Sequence, residues 1–165
     1  MFNNPAIREA TLDDVTLLAS IIRRSFEDVA VELGLTPENT PTHPAFITNE
    51  RVESAMNDGV RFFLLEVEGE ATGSVALEKS KKSPGVFYLE RLAVLPKCRE
   101  RGAGSLLINY AVEEARALGA SRVEIGTIAE QTELQQWYEK RGFVVKGRRK
   151  FSHLPFEVTF MAMEV

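Results

Sequence analysis

The segment from Val86 to Thr127 constrains this chain most. An apolar run, VFYLERLAV, leads into the loop LPKCRERGAG. A stretch with helical apolar spacing, SLLINYAVEEARAL, follows, and after Gly119 a second apolar run begins at Arg122. A strand, a helix and a strand joined in this way form a parallel crossover. Upstream, Arg61 to Val67 and Ala71 to Glu78 are strand-like runs separated by the tight turn Glu68 to Glu70, which makes an antiparallel hairpin. Both kinds of pairing in one chain require a mixed sheet.

The other elements fit around that sheet. Ala6 to Ala10 reads as a first strand, and Thr11 with Asp14 as the start of a helix. Leu12, Val15, Leu18, Ile22, Phe26, Val29 and Leu33 form one apolar face up to Gly34. The segment LTPENTPTHP holds three prolines in ten residues and reads as a loop. Thr48 caps a short second helix through Met56. Downstream of the crossover, Thr132 to Arg141 reads as a helix closed by Gly142, with strands at Phe143 to Lys150 and Phe156 to Met163 around SHLP. The expected order is β-α-α-β-β-β-α-β-α-β-β, an α/β chain with a mixed sheet, and residues 1–165 read as one domain.

Composition narrows the function. The 165 residues carry a net charge of −4 and are 44% hydrophobic, as in an ordinary globular protein that needs no metal or disulfide for its core. No apolar run has the roughly 18 residues of a membrane span. The N-terminal MFNNPAIREA lacks the basic and apolar regions of a signal peptide. Cys98 is the lone cysteine, so an intramolecular disulfide and a cysteine-based zinc site are excluded, and a reducing cytoplasm is the expected location. The acidity argues against a nucleic-acid partner, and the cluster Lys146, Arg148, Arg149 and Lys150 reads as a solvated strand edge.

A glycine-bearing loop that opens a helix is an anion site, because several N–H groups and the helix dipole point outward there. A Walker loop needs a lysine after its last glycine, and none follows Gly104. A dinucleotide fingerprint needs a third glycine where Leu107 stands, and seven residues, Leu95 to Arg101, separate strand from glycine. Glu124 does fall near the place of a ribose-binding acid.

The stretch LAVLPKCRERGAG resembles the acetyl-coenzyme-A loop of the GCN5-related N-acetyltransferases, the GNAT superfamily. Val94, Pro96, Arg99, Gly102 and Gly104 fill the places of its pattern. A second segment, LQQWYEKRGFVV, is similar to the family's aromatic-Tyr-Glu-Lys-x-Gly-Phe, through Trp137, Tyr138, Glu139, Lys140, Gly142 and Phe143. The resemblance runs from about Arg61 to the C-terminus and implies the acyl-CoA N-acyltransferase fold with a splayed sheet. It implies transfer of an acetyl group from acetyl-CoA to a primary amine by direct attack, with no metal. A coenzyme-A-binding module that has lost catalysis would carry the same loop.

The resemblance places the pantetheine arm on Leu92, Ala93 and Val94 and the pyrophosphate on Arg99, Glu100, Arg101, Gly102, Ala103, Gly104 and Ser105. It gives Tyr138 the part of general acid toward the leaving thiolate. By strict alternation Tyr88 and Glu90 share a face with Leu92 and Val94. An acid among apolar core positions is costly, so a bulge is expected near Glu90 to Leu92. Glu90 is a candidate base or a salt-bridge partner, and Tyr88 a candidate to order a water beside it. No covalent intermediate is required, so Cys98 reads as a buried thiol.

The acceptor is expected to be a small amine or a peptide, between the proline-rich loop and the last hairpin. Phe26 and His153 are candidates to contact it, and Phe46, Phe151, Phe156, Glu38, Asn39 and His43 lie in the same segments. Family members are often dimers, so a homodimer through the C-terminal strand is a further expectation.

Overall fold

The computed structural model describes residues 4–165; the first three residues of the N-terminal stretch considered above lie outside it. Strand β1 (Pro5–Glu9) leads through a 3-10 turn into α1 (Val15–Glu32). Helix α2 (Asn49–Asn57) precedes the strands β2 (Arg61–Val67), β3 (Glu70–Lys79) and β4 (Val86–Val94). Then come α3 (Ala103–Ala117), β5 (Arg122–Ile128), α4 (Thr132–Glu139), β6 (Val144–Lys150) and β7 (Glu157–Glu164). The strands form a mixed sheet in the order β1-β2-β3-β4-β5-β7-β6.

Local chemistry explains these boundaries. Asp14 accepts from the Thr11 amide at 2.8 Å, closing a capping box ahead of α1. Thr48 Oγ1 accepts from the Arg51 amide and starts α2. Glu68 and Gly69 have φ of 53° and 83°, the left-handed pair that a two-residue hairpin turn requires. Helix α3 starts at Ala103, two residues before the expected Ser105, because Gly102 at φ 87° serves as its N-cap.

Two apolar layers sandwich the sheet. Leu107, Ile108, Ala111 and Ala115 of α3 pack with Phe63, Leu65, Val75 and Leu77 on one face. Leu18, Ile21 and Ile22 of α1 and Val52 of α2 pack with Phe62, Leu64 and Ala76 on the other. Each fully buried leucine, isoleucine, valine or phenylalanine among these contributes about 1.5–3 kcal/mol. Leu12, expected on the apolar face of α1, is exposed in the 3-10 turn instead. Among the described residues, no helix is long and apolar enough to cross a membrane.

Strand β4 positions the site. It pairs in parallel with β5 only through Val86–Tyr88, opposite Arg122–Glu124, and beyond Tyr88 the two strands part. On its other side β4 pairs with β3, and the register slips where Ala76 faces Glu90 but Ser74 faces Ala93. Arg91 stands at that slip with φ of 51°, so the expected bulge lies at Arg91 and Leu92. The bulge reverses the faces and corrects the strict alternation. Glu90 lies opposite Ala76 in the α1 layer, whereas Leu92 packs with the α3 layer, where Leu89 also lies. Tyr88 therefore shares its face with Glu90 but not with Leu92.

Candidate active site

Two adjoining cavities border the unpaired half of β4, the smaller of them between β4 and β5. The larger, about 880 Å³, is lined by Leu92, Val94, Arg99, Glu100 and Gly102–Ser105, by α1, and by Trp137 and Arg141. The smaller, about 370 Å³, is lined by Glu90, Arg91, Tyr138, His43, Leu154 and Phe156 among others. Phe26, Val29, Leu92, Gln131 and Leu134 line both, so the two meet at the unpaired half of β4.

The larger cavity has the chemistry of an anion site at one end. Among the described residues no side chain caps α3, which leaves its first amides free, and Gly102 adopts a conformation that side chains resist. Nothing lies within 4 Å of where a Cβ on Gly102 would stand. A Cβ on Gly104, in contrast, would stand 3.0 Å from the Trp137 ring, so that glycine also serves packing. At the other end lies free strand edge. The Leu95 amide donates to Thr72 on β3, so by alternation the polar groups of Val94 point away from β3. The Val94 carbonyl accepts from Arg99 Nε at 3.2 Å.

Arg99 is committed to the protein. Its Nη1 donates to Asp28 at 2.6 Å and its Nη2 to the Ser25 carbonyl, which ties the loop to α1. Arg101 is exposed and does not line either cavity. Ala103 is buried at the first turn of α3. Glu100, with φ of 62°, lines the larger cavity. Arg141, which the sequence reading passed over, sits 3.7 Å above the centre of the Trp137 ring and donates from Nε and Nη2 to Ser105 Oγ. The four-residue spacing of Trp137 and Arg141 was the available signal.

The smaller cavity brings together two of the expected groups. Tyr138 packs edge-on against Trp137 and Phe143, and burial raises its phenol well above the usual range, so it stays protonated. Glu90 is pushed up to about 7, by burial first, against the pull of Arg91 and with the help of Glu78. Arg91 Nη1 lies 3.4 Å from Glu90 Oε2. His43 is buried beside Phe26, accepts from the Ala45 amide at 3.2 Å, and is lowered by burial.

Other candidates stand apart from both cavities. The Tyr88 hydroxyl donates to Ser80 Oγ at 3.2 Å, in the β3–β4 turn. His153 is exposed beside Phe151, and Leu154 and Phe156 line the cavity from that hairpin. Asn39 closes its own turn with Thr36 and Gly34. Phe46, Phe151 and Glu38 are also outside the linings. Lys146 and Arg148–Lys150 are exposed on β6, the last strand of the sheet.

The sequence model of the Acetyltransferase (GNAT) family matches residues 17–143. The chain belongs to the GNAT family. This GNAT chain is 29% identical over 141 residues to the uncharacterized N-acetyltransferase YjgM of Escherichia coli (strain K12), covering 85% of this chain and 82% of YjgM. It is also 29% identical over 155 residues to the aminoalkylphosphonate N-acetyltransferase of Salmonella typhimurium, covering 82% of this chain and 97% of that one. Its fold matches PaiA N-acetyltransferase from Thermoplasma acidophilum in complex with coenzyme A, with a TM-score of 0.78, 15% identity and coverage of 99% and 100%. The expected GNAT fold is thus present, and the chain is an acyltransferase of the N-acetyltransferase kind.

Proposed function

We propose that this GNAT enzyme acetylates the primary amine of a small acceptor, with acetyl-coenzyme A in the larger cavity and the acceptor in the smaller one. The observation that carries this reading is the meeting of the two cavities at the unpaired half of β4, with Glu90 and Tyr138 both on the acceptor side. The residues present suit coenzyme A. The free amides of Ala103–Ser105 suit phosphate oxygens, and the edge of β4 beyond its pairing with β5, at Leu92 and the Val94 amide, suits the polar groups of the pantetheine arm.

The chemistry divides between two residues. Glu90 takes a proton from the acceptor's ammonium, and the neutral nitrogen then attacks the thioester carbon. The nitrogen–carbon bond forms, the carbon–sulfur bond breaks, and the sulfur leaves with the electron pair. Tyr138 gives its proton to that sulfur and recovers one from the new amide nitrogen. A phenol whose affinity for its proton is raised by burial donates mainly as the sulfur takes on full negative charge. Tyr138 thus stabilises the late stage of bond cleavage.

Thiol release from acetyl-coenzyme A tests this across a panel of small amines. Release matched one-to-one by acetylated amine supports the proposal. Coenzyme A that raises the melting temperature, with no turnover on any amine, would favour a binding module in its place.

A further inference from the structure

Arg91 is a charged group that this chemistry leaves unused. It occupies the bulge that parts β4 from its regular ladder, in a left-handed conformation that an arginine adopts only under constraint. Among the described residues its polar side-chain partner is Glu90, through one long contact of 3.4 Å, with the Phe62 ring 5.8 Å from its guanidinium carbon. Arg99 and Arg141, by contrast, each spend several donors on protein atoms. A guanidinium has five N–H donors, so most of those on Arg91 are free, and Arg91 is among the residues that line the smaller cavity and not the larger one.

The charges in that cavity therefore form a pair, one carboxylate and one guanidinium on adjacent residues. A ligand of complementary charge carries an ammonium and an oxyanion a few ångströms apart, laid head to tail against the pair. The rest of the wall near the last hairpin is apolar, with Ile128, Leu154, Phe156 and Val158. A volume of about 370 Å³ suits a ligand of amino-acid size.

We infer that the acceptor is a free α-amino acid with an apolar side chain, its carboxylate held by Arg91 and its ammonium presented to Glu90. The inference rests on the proposed acetyl transfer and narrows its acceptor. A peptide N-terminus or a simple alkylamine has no carboxylate at that place and leaves the Arg91 donors unpaired.

The test compares leucine and phenylalanine with their carboxamides and with their decarboxylated amines, as kcat/KM by thiol release. For the wild type, the free acids are expected to exceed both neutral series at least tenfold, as for one charge-assisted bidentate contact. Arg91→Gln is expected to collapse that ratio toward one, mainly through KM, and Arg91→Lys to recover part of it. Equal or better turnover of the amides, or an unchanged ratio in Arg91→Gln, would overturn the inference and leave acetyl transfer standing. If no amine of either series released thiol, acetyl transfer to small amines would fall, and the inference with it. If Arg91→Gln does not fold, the wild-type ratio and the Arg91→Lys ratio decide.

Discussion

Replacing Glu90 with glutamine should stabilise the folded enzyme while it disables the proposed chemistry. The folded state holds this carboxyl up to about 7 against its ordinary 4.5. Below about pH 4.5 the group is protonated in both folded and unfolded chains and contributes no difference. As pH rises from 4.5 to about 7, the unfolded chain releases this proton while the folded one keeps it, so stability falls through that window. Above it the full penalty remains. At 1.36 kcal/mol per tenfold change in proton affinity, the penalty is at most about 3 kcal/mol. The side chain is 32% exposed, and solvent screening brings the expected effect to about 1–2 kcal/mol. Burial causes most of the shift, Arg91 opposes it and Glu78 adds to it, and glutamine keeps an acceptor oxygen for Arg91. Melting curves of wild type and Glu90→Gln at pH 4.5 and pH 8 check this. The variant should gain about 2–8 °C on the wild type between those two values. Its turnover should fall by about 10² or more, and the wild-type rate should rise with pH through about 7. A gain that is absent, or larger at pH 4.5 than at pH 8, would refute the desolvated-carboxylate argument.

Three further perturbations probe neighbouring parts of the site. Tyr138→Phe should lower kcat by about 10² with a melting temperature within about 2 °C of wild type, because its ring packing on Trp137 and Phe143 survives; circular dichroism and thiol release measure the two effects. Arg99→Ala should weaken coenzyme A binding in calorimetry and cost about 1–2 kcal/mol in denaturant, since it frees α1 from the loop at Ser25 and Asp28. Gly73→Ala would place a Cβ 2.7 Å from the Ala93 carbonyl on β4, so a loss of about 1–3 kcal/mol is expected by chemical denaturation.

The sequence carried the elements well where period and punctuation agreed. Strands β2 and β4 begin and end at the residues their apolar runs suggest, and the turn at Glu68 and Gly69 declares its hairpin. The cost of Glu90 in a buried strand pointed to a bulge, and one lies at Arg91. The consequence of that bulge was not legible, because a slip of one residue reverses every later face. Strict alternation groups Tyr88 with Leu92, whereas the folded chain turns Leu92 to the other face and engages the Tyr88 hydroxyl with Ser80. Contacts across long separations were also hidden. Nothing local to Arg99 announces Asp28, 71 residues away, and nothing local to Ser105 announces Arg141. The walls of the smaller cavity draw on His43, Thr127 and Phe156, which only the folded chain brings together.

Direct transfer needs both ligands held at once, across the junction of the two cavities. Initial rates measured over a matrix of acetyl-coenzyme A and acceptor concentrations test it most directly. Reciprocal plots that intersect are expected, as a ternary complex requires. Parallel lines, the mark of an acetylated enzyme intermediate, would contradict it.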